Sequence, residues 1–315
     1  MAASTGRSFV VHPPAPPSSE YRASSFAIWL ALISVYLIWG STYLAIRYAV
    51  ETTPPFLMAA ARFIISGGFL YILRRARGDP APHWVEWRSA AIIGVFLLVG
   101  GNGGVVWAEQ FVPSSLVALL VATVPLWMVL MDWLLPSGHR PSFRASAGIL
   151  VGFGGVALLI GAVASDAGAF HFLGTAVVVL ASFSWAVGSL FGRSAKLPIS
   201  QLLGTGMEML SGGIVLVVLA SAVGEWARLD IAAVSERSLF ALLYLIVFGS
   251  GGFAAYVWLL RVAPTPLVAT YAYVNPLVAV LLGYFLAQEP MTLRTLLAAA
   301  LIIGSVALVS AREAR

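Results

Sequence analysis

Four charged residues stand inside long apolar runs, where a charge is costly and so usually faces a partner or a polar path. Glu208 lies several residues within "GTGMEMLSGG", and Arg62 lies in "AAARFIISGG" at equivalent depth. Aligning the shared SGG sets Arg62 against Met207, one residue before Glu208. A carboxylate so placed can hold a substrate cation or a proton; it serves equally well as half of a structural ion pair or as a hydrogen-bonded neutral acid. Arg62 can pair with Glu208, or the two can take the ends of a zwitterion. Helix packing with a snorkelling side chain is the competing role for Arg62. Glu109, in "VWAEQ", and Asp132 lie nearer the ends of their runs, where an interfacial position accounts for both. Glu109 is kept as a gate or coupling candidate with Arg62 and Glu208.

Uncharged residues extend the set. Trp39, Tyr43, Trp107, Trp127, Trp185, Tyr256, Trp258, Tyr271 and Tyr273 fall within the apolar runs. Aromatic walls with few charges suit apolar, aromatic or cationic solutes. Trp and Tyr also favour membrane interfaces, so only some of them are expected to line a site. Asn102 sits in "GGNGG", as polar lining or as interhelical glue. Asn275 precedes Pro276 in "YAYVNPLVAVLLG". Proline removes a helix donor, so Pro276 and Pro125 are expected to free the carbonyls of Ala272 and Val121. In lipid those carbonyls must find donors or face a polar path. The two prolines are therefore hinge or gate candidates, with a static kink as the alternative.

Other chemistry finds little support. The chain has no cysteine, which removes disulfides and thiolate chemistry, and its four histidines show no ligand spacing. No metal site and no cofactor are expected. "GGNGG" and "GFGG" follow no strand of a βαβ unit, so close helix packing explains them better than phosphate binding. No HExxH, paired intramembrane aspartates or Ser/His pair supports an intramembrane enzyme. Short loops leave little docking surface for a scaffold.

The elements that must position these residues are membrane helices. The 315-residue chain is 60% hydrophobic and 10% charged, with mean hydropathy +0.93. Soluble domains carry about 25% charged residues, so the solvent of this surface is lipid. The net charge of +5 then reads as arginine at the cytoplasmic membrane face rather than as a nucleic-acid footprint. Apolar runs of about 20 residues cross the hydrocarbon core. They are expected at 27–47, 55–73, 88–108, 115–135, 145–164, 172–193, 202–223, 238–259, 266–286 and 292–311, ten in all. Residues 1–25, Pro/Ser/Ala-rich, are expected to be a disordered tail. With both termini cytoplasmic, only Arg47, Arg228, Arg237 and Arg294 lie on the far side, Arg62 lies within a span, and every other Arg and Lys faces the cytoplasm.

The chain also repeats itself. At an offset of 151, Trp107 pairs with Trp258, Pro113 with Pro264 and Pro125-Leu126 with Pro276-Leu277. "GVALLIG" (155–161) matches "SVALVSA" (305–311), SGG recurs at 66–68 and 211–213, and Trp39 and Arg47 have the spacing of Trp185 and Arg193. Residues 26–164 and 170–312 are thus expected to be two repeats. Each has five spans, an odd number, so the second enters the membrane from the opposite side. Inverted repeats are a common plan of secondary transporters. Gly148 and Gly152, with Ala300 and Gly304 in the matching place, offer a packing or homodimer face.

The ordered motifs "YLIWGSTYLAIRYAVETTPPFLMAAARF" (36–63), "VATVPL" (121–126) and "ATYAYVNPLVAVLLG" (269–283) resemble the EamA branch of the drug/metabolite transporter superfamily, in its YedA-type group. The resemblance covers nearly everything after the tail. It implies an all-α membrane protein of ten helices in two EamA domains, with a central cavity built mainly by the first four helices of each half. It implies export of small metabolites, amino acids or drug-like compounds across the cytoplasmic membrane. A facilitative uniporter or exchanger is the alternative. The expected partners are a small solute and the lipid bilayer.

Overall fold

The computed structural model describes residues 24–134, 140–166, 168–263, 265–268 and 270–310. The expected tail lies outside this set except for Ser24 and Ser25, as do Pro264, Arg312 and Arg315. Among the described residues the chain is helical, with no strand.

In chain order the helices are α1 (Ser25–Ala49), α2 (Pro55–Ala76), α3 (Trp84–Gly94), α4 (Gly104–Ala108), α5 (Ser114–Val121), α6 (Val124–Leu134) and α7 (Phe143–Asp166). After them come α8 (Gly168–Ser194), α9 (Gln201–Ala222), α10 (Glu236–Val262), α11 (Thr265–Val268), α12 (Tyr271–Ala287) and α13 (Leu293–Ser310). A π-helix, Val95–Gly103, joins α3 to α4 without a break. Among the described residues, seven helical stretches are long and apolar enough to cross a membrane, and Phe143–Leu159, Tyr271–Ala287 and Leu293–Val309 are shorter apolar helices. Helices of this kind satisfy their own backbone groups, as lipid demands. Large apolar side chains point outward along them, including Phe26, Ile72, Leu150, Phe240 and Phe285. That surface suits hydrocarbon rather than water.

The starts and stops follow local chemistry. The Ser24 hydroxyl accepts from the Ala27 amide at 3.2 Å and caps α1. Pro55 opens α2, where its missing donor costs nothing. The Ser200 and Ser235 hydroxyls cap α9 and α10 by accepting from Leu203 and Ser238.

Packing is set by glycines at the crossings. Helices α2 and α9 meet at Gly67 and Gly206: a methyl group on Gly67 would lie 2.9 Å from the Gly206 carbonyl, and one on Gly206 would lie 3.0 Å from the Gly67 carbonyl. Gly213 meets Ile64 on the same seam. Helices α7 and α13 pack likewise, with Gly148 against Val309, Gly152 against Ser305 and Gly155 against Ile302. The small-residue face of α7 is therefore occupied within the chain, whereas Gly304 has no neighbour within 4 Å. Helix α1 packs on α10 and α12, and α8 packs on the π-helix, α5 and α6.

Two expected spans are broken helices. The run at 115–135 splits into α5 and α6 at Ala122–Thr123, just before Pro125. The Leu120 carbonyl there accepts from the Thr123 amide at 3.1 Å, the Thr123 hydroxyl at 2.6 Å and the Ser182 hydroxyl at 3.2 Å. The run at 266–286 breaks between Val268 and Tyr271, and Pro276 lies inside the continuous α12. The two breaks differ in register: residues 122–123 align with 273–274 at the offset of 151, three or more residues past the second break.

Candidate functional site

Among the described residues, several buried polar atoms have no hydrogen-bond partner. Arg62 Nη1, Asn102 Oδ1, both carboxylate oxygens of Glu109, Trp127 Nε1 and Asn275 Oδ1 are buried without a hydrogen-bond partner. Native proteins pair most such atoms, and each orphan costs free energy on burial.

Glu109 closes the C-terminal end of α4 and is 3% exposed. It interacts electrostatically with Arg47, Arg62 and Glu289, and with the Tyr43 hydroxyl. Arg62, on α2, lays its guanidinium 5.0 Å above the Phe63 ring and reaches α10, where a methyl group on Gly249 would stand 3.3 Å from Nη2. The carboxylate that Arg62 senses is Glu109. Glu208 is not in this relationship. Its carbonyl packs on Gly94 of α3, while its neighbours Gly206 and Met209 face α2. Adjacent helix positions point about 100° apart, so the residue next to the α2-facing seam turns toward α3. No charged group acts on Glu208 among the described residues.

The aromatic candidates divide into groups. Trp39 of α1 meets Tyr256 of α10 and Tyr271 of α12, both with ring centroids 5.1 Å away. Tyr256 and Tyr271 are 5.5 Å apart and nearly perpendicular. This three-ring cluster is half-buried. Trp185 of α8 lies on the π-helix, where a methyl group on Gly101 would stand 2.8 Å from its Cε3. Trp107 packs on Phe111 at 5.2 Å. Trp127 sits between Phe153 and Phe183, at 4.6 and 5.4 Å. Trp258 is 37% exposed and stands apart from the three-ring cluster. Tyr273 packs beside Leu126 and Val306.

Asn102 lies in the π-helix, a geometry that recurs at functional sites. Its glycine neighbours admit α8 closely: the Ser184 hydroxyl donates to the Phe96 carbonyl at 2.7 Å. Asn275 is 8% exposed, and α1 approaches it over Gly40, where a methyl group would stand 3.1 Å from the Asn275 carbonyl.

One acidic residue outside the expected set accepts more hydrogen bonds than any other carboxylate among the described residues. Glu289 is 5% exposed. Its Oε1 accepts from Arg47 Nη1, the Ser114 amide and the Ser114 hydroxyl, each at 2.8 Å, and Oε2 accepts from the Ser115 amide at 2.9 Å. At the same end, Glu225 accepts from the amides of Phe56 at 3.2 Å and Leu57 at 2.8 Å. Glu289 lies in a loop and Glu225 opens a short 3₁₀ helix, both outside the apolar runs, so no apolar run flags them. A lone Glu before Pro290 and a Glu before Trp226 carry no sequence signature of the helix ends they cap.

The comparisons decide the class. The profile of the EamA-like transporter family matches residues 25–161 and again 172–311. The chain belongs to the EamA-like transporter family. It is 38% identical over 282 residues to the "Uncharacterized inner membrane transporter YedA" of Escherichia coli K12, covering 89% of each chain. It is 25% identical to the "WAT1-related protein At3g02690, chloroplastic" of Arabidopsis thaliana, covering 92% of this chain and 70% of that one. It is 23% identical to the "Uncharacterized transporter YvbV" of Bacillus subtilis, over 90% and 92% of the two chains. A crystal structure titled "Crystal structure of protein" superposes with a TM-score of 0.59 at 21% identity, covering 91% of this chain and 98% of that chain; the likeness concerns the fold alone. This EamA chain is a multi-pass membrane protein of a transporter family.

Proposed function

We propose that this protein is a secondary transporter of the cytoplasmic membrane that exports a small organic solute by alternating access. The helices form ten spans in two inverted five-helix repeats, residues 26–164 and 170–312, with both termini cytoplasmic. The pairing of helices supports the repeat. If α3, the π-helix and α4 form one span, α5–α6 another and α11–α12 another, then α2 packs on its own counterpart α9, and α7 on its counterpart α13. The packing of α1 on α10 is mirrored by that of α8 on the π-helix. The family profile fits each half separately.

The observation that carries the reading is the group of unpartnered polar atoms on Arg62, Asn102, Glu109 and Asn275. Buried groups without partners persist where function uses them. Glu109 and Arg62 offer opposite charges to the polar ends of a solute, and Trp39, Tyr256 and Tyr271 offer it an aromatic wall. Tyr43, Trp107, Trp185 and Glu208 complete the proposed lining, and Pro125 and Pro276 are the proposed bending points. The relatives' names as transporters support the class.

The test is purified protein in proteoliposomes, challenged with a panel of radiolabelled amino acids, small metabolites and drug-like cations. The reading expects saturable flux of at least one compound, reduced in Glu109→Gln and in Arg62→Met. Absence of protein-dependent flux across the panel, from folded protein in either orientation, would overturn it. Flux without accompanying proton movement would rule out proton coupling and favour a uniporter or an exchanger.

A further inference from the structure

We infer that Glu289 is a gating residue, the latch that holds one end of the transport path shut through its ion pair with Arg47 and its bonds to the start of α5. The inference rests on the alternating-access reading. Three observations at the α12–α13 turn converge on it.

The first is the number of elements that one carboxylate ties. Glu289 joins the last turn of α1 through Arg47, the first turn of α5 through Ser114 and Ser115, and its own turn after α12. The ion pair with Arg47 is 2.8 Å long and half-shielded, with the arginine side chain 33% exposed. Charge-assisted bonds of this kind are the strong ones. Around it, the Tyr48 hydroxyl donates to the Leu286 carbonyl at 3.0 Å, and the Ser238 hydroxyl donates to the Tyr48 carbonyl at 2.7 Å. Helices α1, α5, α10 and α12 are thus drawn together at this end.

The second is the space reserved for the carboxylate. Gly283, in the last turns of α12, faces it directly: a methyl group there would stand 2.5 Å from Glu289 Oε2 and 3.3 Å from Ser115 Cβ. A side chain at this position would push the carboxylate off the α5 amides. The third is the backbone that aims it. Gln288 has φ 52°, the left-handed region, and is the one non-glycine residue there among the described residues. This left-handed cap ends α12 and turns the chain sharply, so that the Glu289 amide bonds the Gly283 carbonyl at 3.0 Å and the carboxylate meets Ser114.

When the α12–α13 turn swings away, Glu289 leaves with it, and Arg47 and the Ser114 and Ser115 amides of α5 lose the carboxylate that ties them together.

The cysteine-free chain permits a direct test. A single reporter, Tyr43→Cys, sits one turn deeper than Arg47 on α1. Its reaction with a membrane-impermeant methanethiosulfonate is followed from each side, in vesicles of both orientations, with no solute added. Glu289→Gln is expected to raise labelling from the Arg47 end about tenfold, the population shift for losing one charge-assisted bond, and to lower it from the other end. Gly283→Ala, which leaves every charge in place, is expected to shift it in the same sense. A purely structural staple predicts lower thermal stability with unchanged sidedness. Unchanged labelling in both folded variants would overturn the latch, whatever the wild type transports. Absent flux in the wild type, with labelling that shifts, would instead count against the transport reading.

Discussion

The indole of Trp39 lies against Gly252, where a methyl group would stand 3.1 Å from Nε1 and 3.3 Å from Cδ1. The second half repeats the arrangement, with Trp185 on Gly101. Gly101 and Gly252 are 151 positions apart, the spacing of the internal repeat. Each tryptophan thus rests on a glycine of the opposite half, on α10 in one case and the π-helix in the other. Gly252→Ala and Gly101→Ala are expected to displace the indoles and to destabilise the protein by about 1–3 kcal/mol, as overpacking does. Gly154→Ala, with nothing within 4 Å, is the control. Thermal unfolding in detergent checks all three.

The carboxylates between the apolar runs make a second prediction. Glu225 is fully buried and accepts two amides at the start of α2, with Arg228 at 3.6 Å. Glu225→Ala leaves those donors unsatisfied and is expected to cost about 1–3 kcal/mol. Glu225→Gln, which keeps an acceptor, is expected to lose less. Melting temperatures of the two variants against the wild type decide the order.

Apolar runs and the repeat were legible in the sequence because membrane helices must satisfy their backbones along one continuous stretch. The helices at 25–49, 55–76 and 201–222 sit close to where hydropathy puts them. Charges and amides inside spans were legible for the same reason: Arg62, Asn102, Glu109 and Asn275 are conspicuous in apolar text, and all carry unpartnered atoms. Partnership was not legible. Glu208 and Arg62 stand at matching depth, yet one helix position turns Glu208 toward α3. Neither was the π-helix, because its glycines read only as close packing. Glu289 and Glu225 lie in the connections between the apolar runs, where a carboxylate is ordinary until the helix end it faces is known.

Acid titration reaches a third site. Asp79, in the loop after α2, accepts from Arg74 Nε and Nη2, both at 2.8 Å. Those bonds, and that of Ser200, hold its carboxyl below the ordinary 3.8. A depressed carboxyl contributes its stability above the unfolded value and loses it as pH falls through the folded one. The tie between α2 and this loop is therefore expected to be intact from neutrality down to about pH 4 and to fail in stronger acid. Asp79→Asn is expected to remove that acid-dependent step in a melting-temperature profile and to leave the neutral range nearly flat.

The last prediction separates stability from transport. Both oxygens of Glu109 are buried and unbonded, so its charge is a burden on the folded state rather than a support. Removing the charge is expected to leave the melting temperature unchanged or higher. The same Glu109→Gln change takes away the negative group facing Arg62 and Arg47, and solute flux is expected to fall. Arg62→Met leaves its own orphan donor behind no longer, yet exposes Glu109 to one cation fewer, so it is expected to lower flux and stability together. If the two residues act on one solute, the flux of the double variant matches that of the worse single variant rather than the product of the two losses. Independent, multiplicative losses would place them on separate parts of the path.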